Sequence, residues 1–369
     1  MYFPLPGTSL TMIDTPALLI DLDLMESNIK RLFERVAGTG IHIRPHLKTV
    51  KTPVLAHRFL QAGAKGVCVA KLGEAEVMAA SGIEDILITT EVIGGVKLAR
   101  LMSLLCQHRN VKVVVDSIEG VDALAEASTH WGVTAQVLIE IDVGQRRCGV
   151  APGNATVELA KRIVGQESLC FMGVQGYEGH LQHIQDKVER TARCVAAMEL
   201  LTDTTTALSK AGMPPTIVTT GGTGTWQICA EYRHAGITEV QPGSFVFMDA
   251  DYRHAIGNEY ASALSVLATV ISRPSATNAV VDAGLKALSN DSGNAEPKNL
   301  PGVSYQHWGD EHGILSWEQG TDLELKVGDK IELIPSHCDT TINLYDHYFA
   351  TRDSQLEVVW PISARGKTQ

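Results

Sequence analysis

The 369-residue sequence predicts an α/β protein, a (β/α)8 TIM barrel with a second, C-terminal β domain. Three observations carry that expectation. Apolar, β-branched runs of strand length recur eight times, at 41–43, 66–70, 86–89, 111–115, 135–141, 171–175, 216–219 and 238–241. Amphipathic helical segments lie between them, at 72–80, 94–107, 121–129, 155–165, 185–210 and 226–234. Past Gly243 the pattern changes to short alternating segments, at 266–271, 278–281, 314–315, 322–325, 330–334 and 356–361, with turns such as Lys326-Val327-Gly328-Asp329. Buried runs alternating with helices imply a parallel sheet, and eight such strands close a barrel. An open doubly wound sheet fits less well, because no GxGxxG turn follows the first strand and no acidic residue ends the second.

Taken in order, Asp14-Thr15-Pro16 leads into a strand at 17–21. Asp23 then opens a helix whose Met25, Ile29, Leu32, Phe33 and Val36 fall on one face. That strand precedes the barrel count, so residues 1–20 are expected to join 249–369 in the β domain, leaving 21–248 as the barrel. The polar, Asn-rich stretch 289–301 reads as a surface loop. The net charge of −11 argues against a nucleic-acid or anionic-membrane partner. The sequence has no apolar run long enough to span a bilayer and no basic start followed by an apolar core. Seven scattered cysteines without a CxxC pair argue for reduced thiols, and hence for a cytoplasmic protein.

The chemistry-bearing residues cluster just after the predicted strands. Arg44-Pro45-His46-Leu47-Lys48-Thr49-Val50-Lys51-Thr52-Pro53 places Lys48 in a βα loop, where α/β barrels carry their chemistry. A lysine there suits attack on a carbonyl to form a Schiff base, the way an enzyme holds pyridoxal phosphate (PLP). Arg44 and Lys51 are positioned to lower the Lys48 pKa by like-charge repulsion. Thr219-Thr220-Gly221-Gly222-Thr223-Gly224-Thr225-Trp226 follows the seventh strand, where a nest of N–H groups and hydroxyls suits an anion and a tight βα turn needs the same glycines. Gln241-Pro242-Gly243-Ser244 ends the eighth strand and supplies a second wall. Arg146 and Arg147 follow strand five and suit either a carboxylate or a pyridine nitrogen. Gly176-Tyr177-Glu178-Gly179-His180 brings three titratable groups to the same rim, with His180 a candidate acid or base. In an extended chain His337 and Asp339 would point to one side and Cys338 to the other. That arrangement suits a divalent cation or an ordinary hydrogen-bonded pair.

Taken together, RPHLKT, GQRRCGV, GYEGH, TTGGTGT, QPGS, DAGLK, DEHG and SHCDTTINLYD occur in an order that resembles the fold-type III PLP enzymes. The branch is that of the D-threonine aldolases, 3-hydroxy-D-aspartate aldolases and eukaryotic-type D-serine dehydratases. The resemblance covers nearly the whole chain and implies an alanine-racemase-like barrel plus a β domain, usually in a homodimer. It implies Lys48 as the Schiff-base lysine, Arg147 near the pyridine ring and Tyr177 lining the cofactor. Gly222, Thr223, Gly243 and Ser244 would hold the phosphate, with Thr220 at the start of the same turn, and His337 and Asp339 a metal. In the family, His-x-Cys accompanies zinc and dehydration, whereas His-x-Asp accompanies Mn²⁺ or Mg²⁺ and aldol cleavage. His337-Cys338-Asp339 therefore favours an aldolase acting on D-threonine or a related D-3-hydroxy amino acid, with a D-serine or 3-hydroxyaspartate dehydratase as the alternative.

Overall fold

The computed structural model describes residues 3–232, 236–321 and 323–369. His234 and Asp322, at the ends of two predicted segments, lie outside the described residues. The chain opens with β1 (Ala17–Asp21) and α1 (Leu22–Val36). The parallel strands follow as β2 (His42–Ile43), β3 (Val67–Val69), β4 (Ile86–Ile88), β5 (Val111–Val115), β6 (Ala135–Glu140), β7 (Leu169–Gln175), β8 (Ile217–Thr220) and β9 (Glu239–Val240). Helices alternate with them: α2 (Pro53–Gln61), α3 (Leu72–Ala80), α4 (Gly95–Gln107), α5 (Ile118–Trp131), α6 (Asn154–Val164), α7 (Lys187–Lys210) and α8 (Trp226–Glu231). After α9 (Ala250–Ile256) come β10 (Leu264–Ser275), β11 (Asn278–Val281), β12 (Glu296–Pro297), β13 (Ser304–His307), β14 (Gly313–Ser316) and β15 (Lys330–Ile334). α10 (Cys338–Ile342), β16 (His347–Arg352) and β17 (Gln355–Pro361) complete the chain.

Two compact units result. One comprises Leu32–Lys48, Pro53–Gly243 and Gly366–Gln369. The other comprises the N-terminal residues through Arg31, Thr49–Thr52 and Ser244–Arg365.

In the first unit, eight parallel strands run in the order β2-β9-β8-β7-β6-β5-β4-β3. A parallel bridge between His46 and Cys68 joins the two edges, with Cys68 N donating to Pro45 O at 2.9 Å and Leu47 N to Cys68 O at 2.8 Å. The sheet therefore closes on itself. Side chains of Cys68, Leu87, Val114 and Leu138 pack with Met172 and Ile217. These come from six successive strands and can meet only in the barrel interior. Local signals position the helices: Ser117 accepts the Gly120 N–H to cap α5, and Gly132 ends it in the left-handed conformation.

Arg44 occupies the end of the barrel opposite the chemistry. It is 1% exposed and grips Glu239 through Nε (2.7 Å) and Nη2 (2.9 Å), and Asp85 through Nη1 (2.6 Å). Lys112 Nζ adds a bond to Asp85 Oδ1 at 2.9 Å. Glu239 opens β9, Asp85 precedes β4 and Lys112 is the second residue of β5, so the cluster plugs the N-terminal mouth. The expectation that Arg44 lowers the Lys48 pKa is thus corrected, because two carboxylates already neutralise its charge. Burial pushes the Asp85 carboxyl up, but Arg44 and Lys112 overcome this and hold it below the usual carboxylate range. Replacing Arg44 with methionine would strand both carboxylates. We expect a loss of about 3–5 kcal/mol, read as a lower urea midpoint for the barrel. Because the Asp85 pKa is depressed, its share of the stability is present above the ordinary carboxylate pKa and lost as pH falls through the folded value.

The second unit is a nine-stranded sheet in the order β13-β14-β11-β10-β1-β16-β17, with β15 pairing β10 and β12 pairing β15. β1 runs antiparallel to β10 and parallel to β16. Of the predicted segment 322–325, the described residues 323–325 form no strand. The stretch 289–301 contains β12, which hydrogen-bonds β15, and is thus more than a surface loop. Among the described residues, no helix is long and apolar enough to cross a membrane.

Candidate active site

Buried parallel strands present their C-terminal ends to one mouth, and the loops there carry the candidate residues of the barrel unit. The floor of that mouth is polar. Gln175 Nε2 donates to Glu140 Oε2, and Gln241 Nε2 donates to Gln175 Oε1 (2.9 Å) and Thr219 Oγ1 (2.8 Å). Burial pushes the Glu140 carboxyl up to about 8, so it is largely a neutral acid at pH 7.

Lys48 follows β2 and is half-buried. Its backbone N–H donates to His46 Nδ1 at 3.3 Å, and His46 Nε2 lies 3.0 Å from Thr89 Oγ1. With Nδ1 accepting, Nε2 carries the ring proton and donates to Thr89, just past β4. The lysine backbone is thereby fixed. Arg147 follows β6, is exposed, and sets its guanidinium 5.7 Å from the centre of the Tyr177 ring. The structure thus brings Arg147 and Tyr177 together as a cation–π pair. Arg146 is exposed in a left-handed conformation (φ 55°), with its N–H held by Asp142 Oδ1 at 2.9 Å. His180 is exposed beside the Gly144 loop. Partial burial, reinforced by the Arg193 charge, holds its imidazole below the usual histidine value, leaving it neutral and able to accept a proton.

Glu178 is not on the rim. It is fully buried and organises the glycine-threonine turn after β8. Its Oε2 accepts from Thr220 Oγ1 (3.0 Å) and Gly221 N (3.4 Å), and its Oε1 accepts from Thr225 Oγ1 and from Gln182 Nε2 (3.3 Å). Gly222 N donates to Thr225 Oγ1 (3.1 Å) and Gly224 N to Gln182 Oε1 (2.8 Å). Three of the expected anion-binding N–H groups are therefore committed to the turn's own scaffold. Thr220, expected among the cofactor's donors, is instead tied down to Glu178. A Cβ on Gly222 would come within 2.5 Å of Gln182 Oε1, and one on Gly224 within 2.5 Å of Gln182 O, so the turn admits no side chain at either position. Gly243 N donates to Thr223 Oγ1 at 3.3 Å, joining the loops after β8 and β9. In the β unit, Ser244 Oγ lies 3.5 Å from Thr49 Oγ1. A half-buried lysine after β2 and a turn carrying Thr223 between two glycines form a donor set that fits a phosphorylated aldehyde. Sequence reasoning missed Glu178 and Gln182 as supports, because their partners in the turn lie 42 to 47 residues away.

In the β unit, His337 and Asp339 come together for a different reason from the one expected. His337 is extended, but Cys338 begins α10, so Asp339 is already helical. His337 Nε2 faces Asp339 Oδ2 at 3.9 Å, beyond hydrogen-bond reach. Their side chains are 23% and 13% exposed. An imidazole nitrogen and a carboxylate facing each other at that distance make a donor set that fits a divalent cation. Cys338 is buried and its N–H donates to Asp249 Oδ2 at 2.9 Å. Burial pushes its thiol well up. Asp249 also accepts from Tyr252 N (3.0 Å), capping α9. Burial raises its carboxyl to about 6. Asp291, in the stretch read as a surface loop, accepts from His337 Nδ1 at 2.6 Å, a partner 46 residues away that no spacing rule reveals.

Residues 20–251 match the family model "Alanine racemase, N-terminal domain", and 263–351 match "Putative serine dehydratase domain". The chain is 38% identical to 3-hydroxy-D-aspartate aldolase of Paracoccus denitrificans (strain Pd 1222), over 98% of this chain and 95% of that one. It is 36% identical to D-threonine aldolase of Arthrobacter sp, with the same coverage. Among solved structures, D-threonine aldolase from Filomicrobium marinum superposes with a TM-score of 0.95 at 39% identity, covering 99% of this chain and all of that one. The chain thus shares its whole fold with the Filomicrobium marinum structure. The chain belongs to the fold-type III PLP-dependent enzymes, in the branch that contains the D-threonine and 3-hydroxy-D-aspartate aldolases.

Proposed function

We propose that the chain is a PLP- and divalent-metal-dependent carbon–carbon lyase that cleaves D-threonine or a related D-3-hydroxy amino acid to glycine and an aldehyde. The observation that carries this reading is the His337–Asp339 pair, whose facing atoms stand 3.9 Å apart with the thiol between them in sequence buried. A hard carboxylate at the third position suits Mn²⁺ or Mg²⁺ better than zinc.

Lys48 would hold the cofactor aldehyde covalently, and Thr223, Gly243 and Ser244 its phosphate, with Gly222 keeping the turn clear of a side chain. Arg147 and Tyr177 would line the ring, and a permanently charged guanidinium facing a pyridine nitrogen keeps that nitrogen unprotonated. Bound PLP supplies an electron sink for the charge left at Cα when the Cα–Cβ bond breaks. A divalent cation between His337 and Asp339 supplies Lewis-acid polarisation of the substrate's 3-hydroxyl. His180, neutral because its pKa is held down, accepts the 3-hydroxyl proton at a ring nitrogen. Glu178 and Gln182 keep the turn after β8 rigid during turnover. We assign the metal site to the β domain, and expect a homodimer acting in the cytoplasm.

The experiment is product analysis. Purified protein with PLP and Mn²⁺ is offered D- and L-threonine, D-phenylserine, D-3-hydroxyaspartate and D-serine. Glycine and an aldehyde from the D-3-hydroxy substrates are expected. Ammonia and a keto acid would replace this reading with the dehydratase, which the match of 263–351 to a serine dehydratase domain keeps as the second possibility.

A further inference from the structure

We propose that Asp291 is the positioning residue of the cation site, fixing the His337 ring so that Nε2 is the ligand nitrogen. The inference rests on reading His337 and Asp339 as metal ligands.

Asp291 Oδ2 accepts from His337 Nδ1 at 2.6 Å, and Oδ1 accepts from Ser289 Oγ at 2.7 Å and Thr340 Oγ1 at 2.8 Å. One hydroxyl comes from its own loop and the other from α10, next to Asp339. The carboxylate is therefore held on both oxygens, and its orientation is set before any ion arrives. Asp291 holds the ring nitrogen remote from Asp339, so it stands behind the histidine as an orienting group. Donation from Nδ1 requires a proton to sit there, so in the neutral ring that a metal binds the lone pair is on Nε2. That is the nitrogen facing Asp339 Oδ2 at 3.9 Å. A carboxylate behind a histidine fixes its tautomer and ring angle and raises its basicity toward a metal, and its loss typically weakens metal binding about 10–100-fold. Ser289 and Thr340 act one step further out, since each removes a rotational freedom of Asp291.

The test is calorimetric titration of PLP-loaded, metal-stripped protein with MnCl₂. The wild type is expected to bind Mn²⁺ at a site that His337→Ala abolishes. Asp291→Ala should bind about 10–100-fold more weakly, with the bound-cofactor absorbance unchanged. Asp291→Asn should recover part of that loss, because the amide oxygen still accepts the Nδ1 proton. It also serves if the alanine variant fails to fold. Wild-type affinity in both Asp291 variants, with His337→Ala still defective, would overturn the positioning role and leave the metal reading intact. No Mn²⁺ binding by the wild type would overturn both.

Discussion

Lys48→Ala is expected to yield a folded protein without the visible absorbance of lysine-bound cofactor and with activity lower by about three orders of magnitude or more. The reasoning separates side chain from backbone. The backbone N–H of Lys48 already has its partner in His46 Nδ1, and the His46 ring is held by Thr89. Truncating the side chain leaves those bonds in place, so the melting temperature should move by only a few degrees. What disappears is the amine that holds the aldehyde and that moves a proton at Cα, and a positioned proton-transfer group alone is worth about 10²–10⁴-fold. Lys51 is the other lysine of the motif. Its backbone sits in a left-handed conformation (φ 48°), with its carbonyl held by Ala364 N at 2.9 Å. Spectroscopy and steady-state kinetics on the same preparation check the result. A Lys48→Ala protein that keeps both the absorbance and the rate would move the covalent attachment to another amine.

The barrel was legible because strands buried on both faces have to be written as continuous apolar runs. The run at 111–115 and the helix at 72–80 match the structure residue for residue. The mouth followed from topology, since every βα loop of a parallel barrel emerges at one end. What the sequence hid was pairing at long range. Arg44 sits in the same motif as Lys48, so proximity in sequence suggested a shared job. Its partners Asp85 and Glu239 lie 41 and 195 residues away and carry it to the opposite mouth. Glu178 reads like one more rim acid beside His180. Only the turn at 220–225 folding over it shows that it is an internal brace. In the β unit, β12 and β13 escaped notice because strands of two and four residues offer too few alternations to register. The convergence of His337 and Asp339 was anticipated on strand geometry, but the chain turns into α10 between them, so a correct pairing rested on the wrong period.

Stripping the divalent cation is expected to lower the rate by about 10³-fold, with Mn²⁺ or Mg²⁺ restoring it in the wild type and not in His337→Ala. An alcohol is a poor acid at neutral pH, and the only base assigned to the 3-hydroxyl is His180. Its pKa is held below the ordinary histidine value, so it is a weak proton acceptor by itself. A Lewis acid at the hydroxyl typically supplies several kcal/mol. About 4 kcal/mol corresponds to roughly a thousandfold in rate. Nothing nearby in the sequence compensates, because the intervening Cys338 is buried with its thiol pushed well up and its N–H held by Asp249. The unprotonated ring nitrogen expected beside Arg147 makes the dependence steeper, since a weaker electron sink leaves more of the bond-breaking to activation of the hydroxyl. Chelation followed by re-addition, with the bound-cofactor absorbance recorded throughout, isolates the cation's share. If the chelated enzyme turned over D-threonine at the untreated rate, the His337–Asp339 pair would be removed from the reaction, and His180 would be left to take the hydroxyl proton without help.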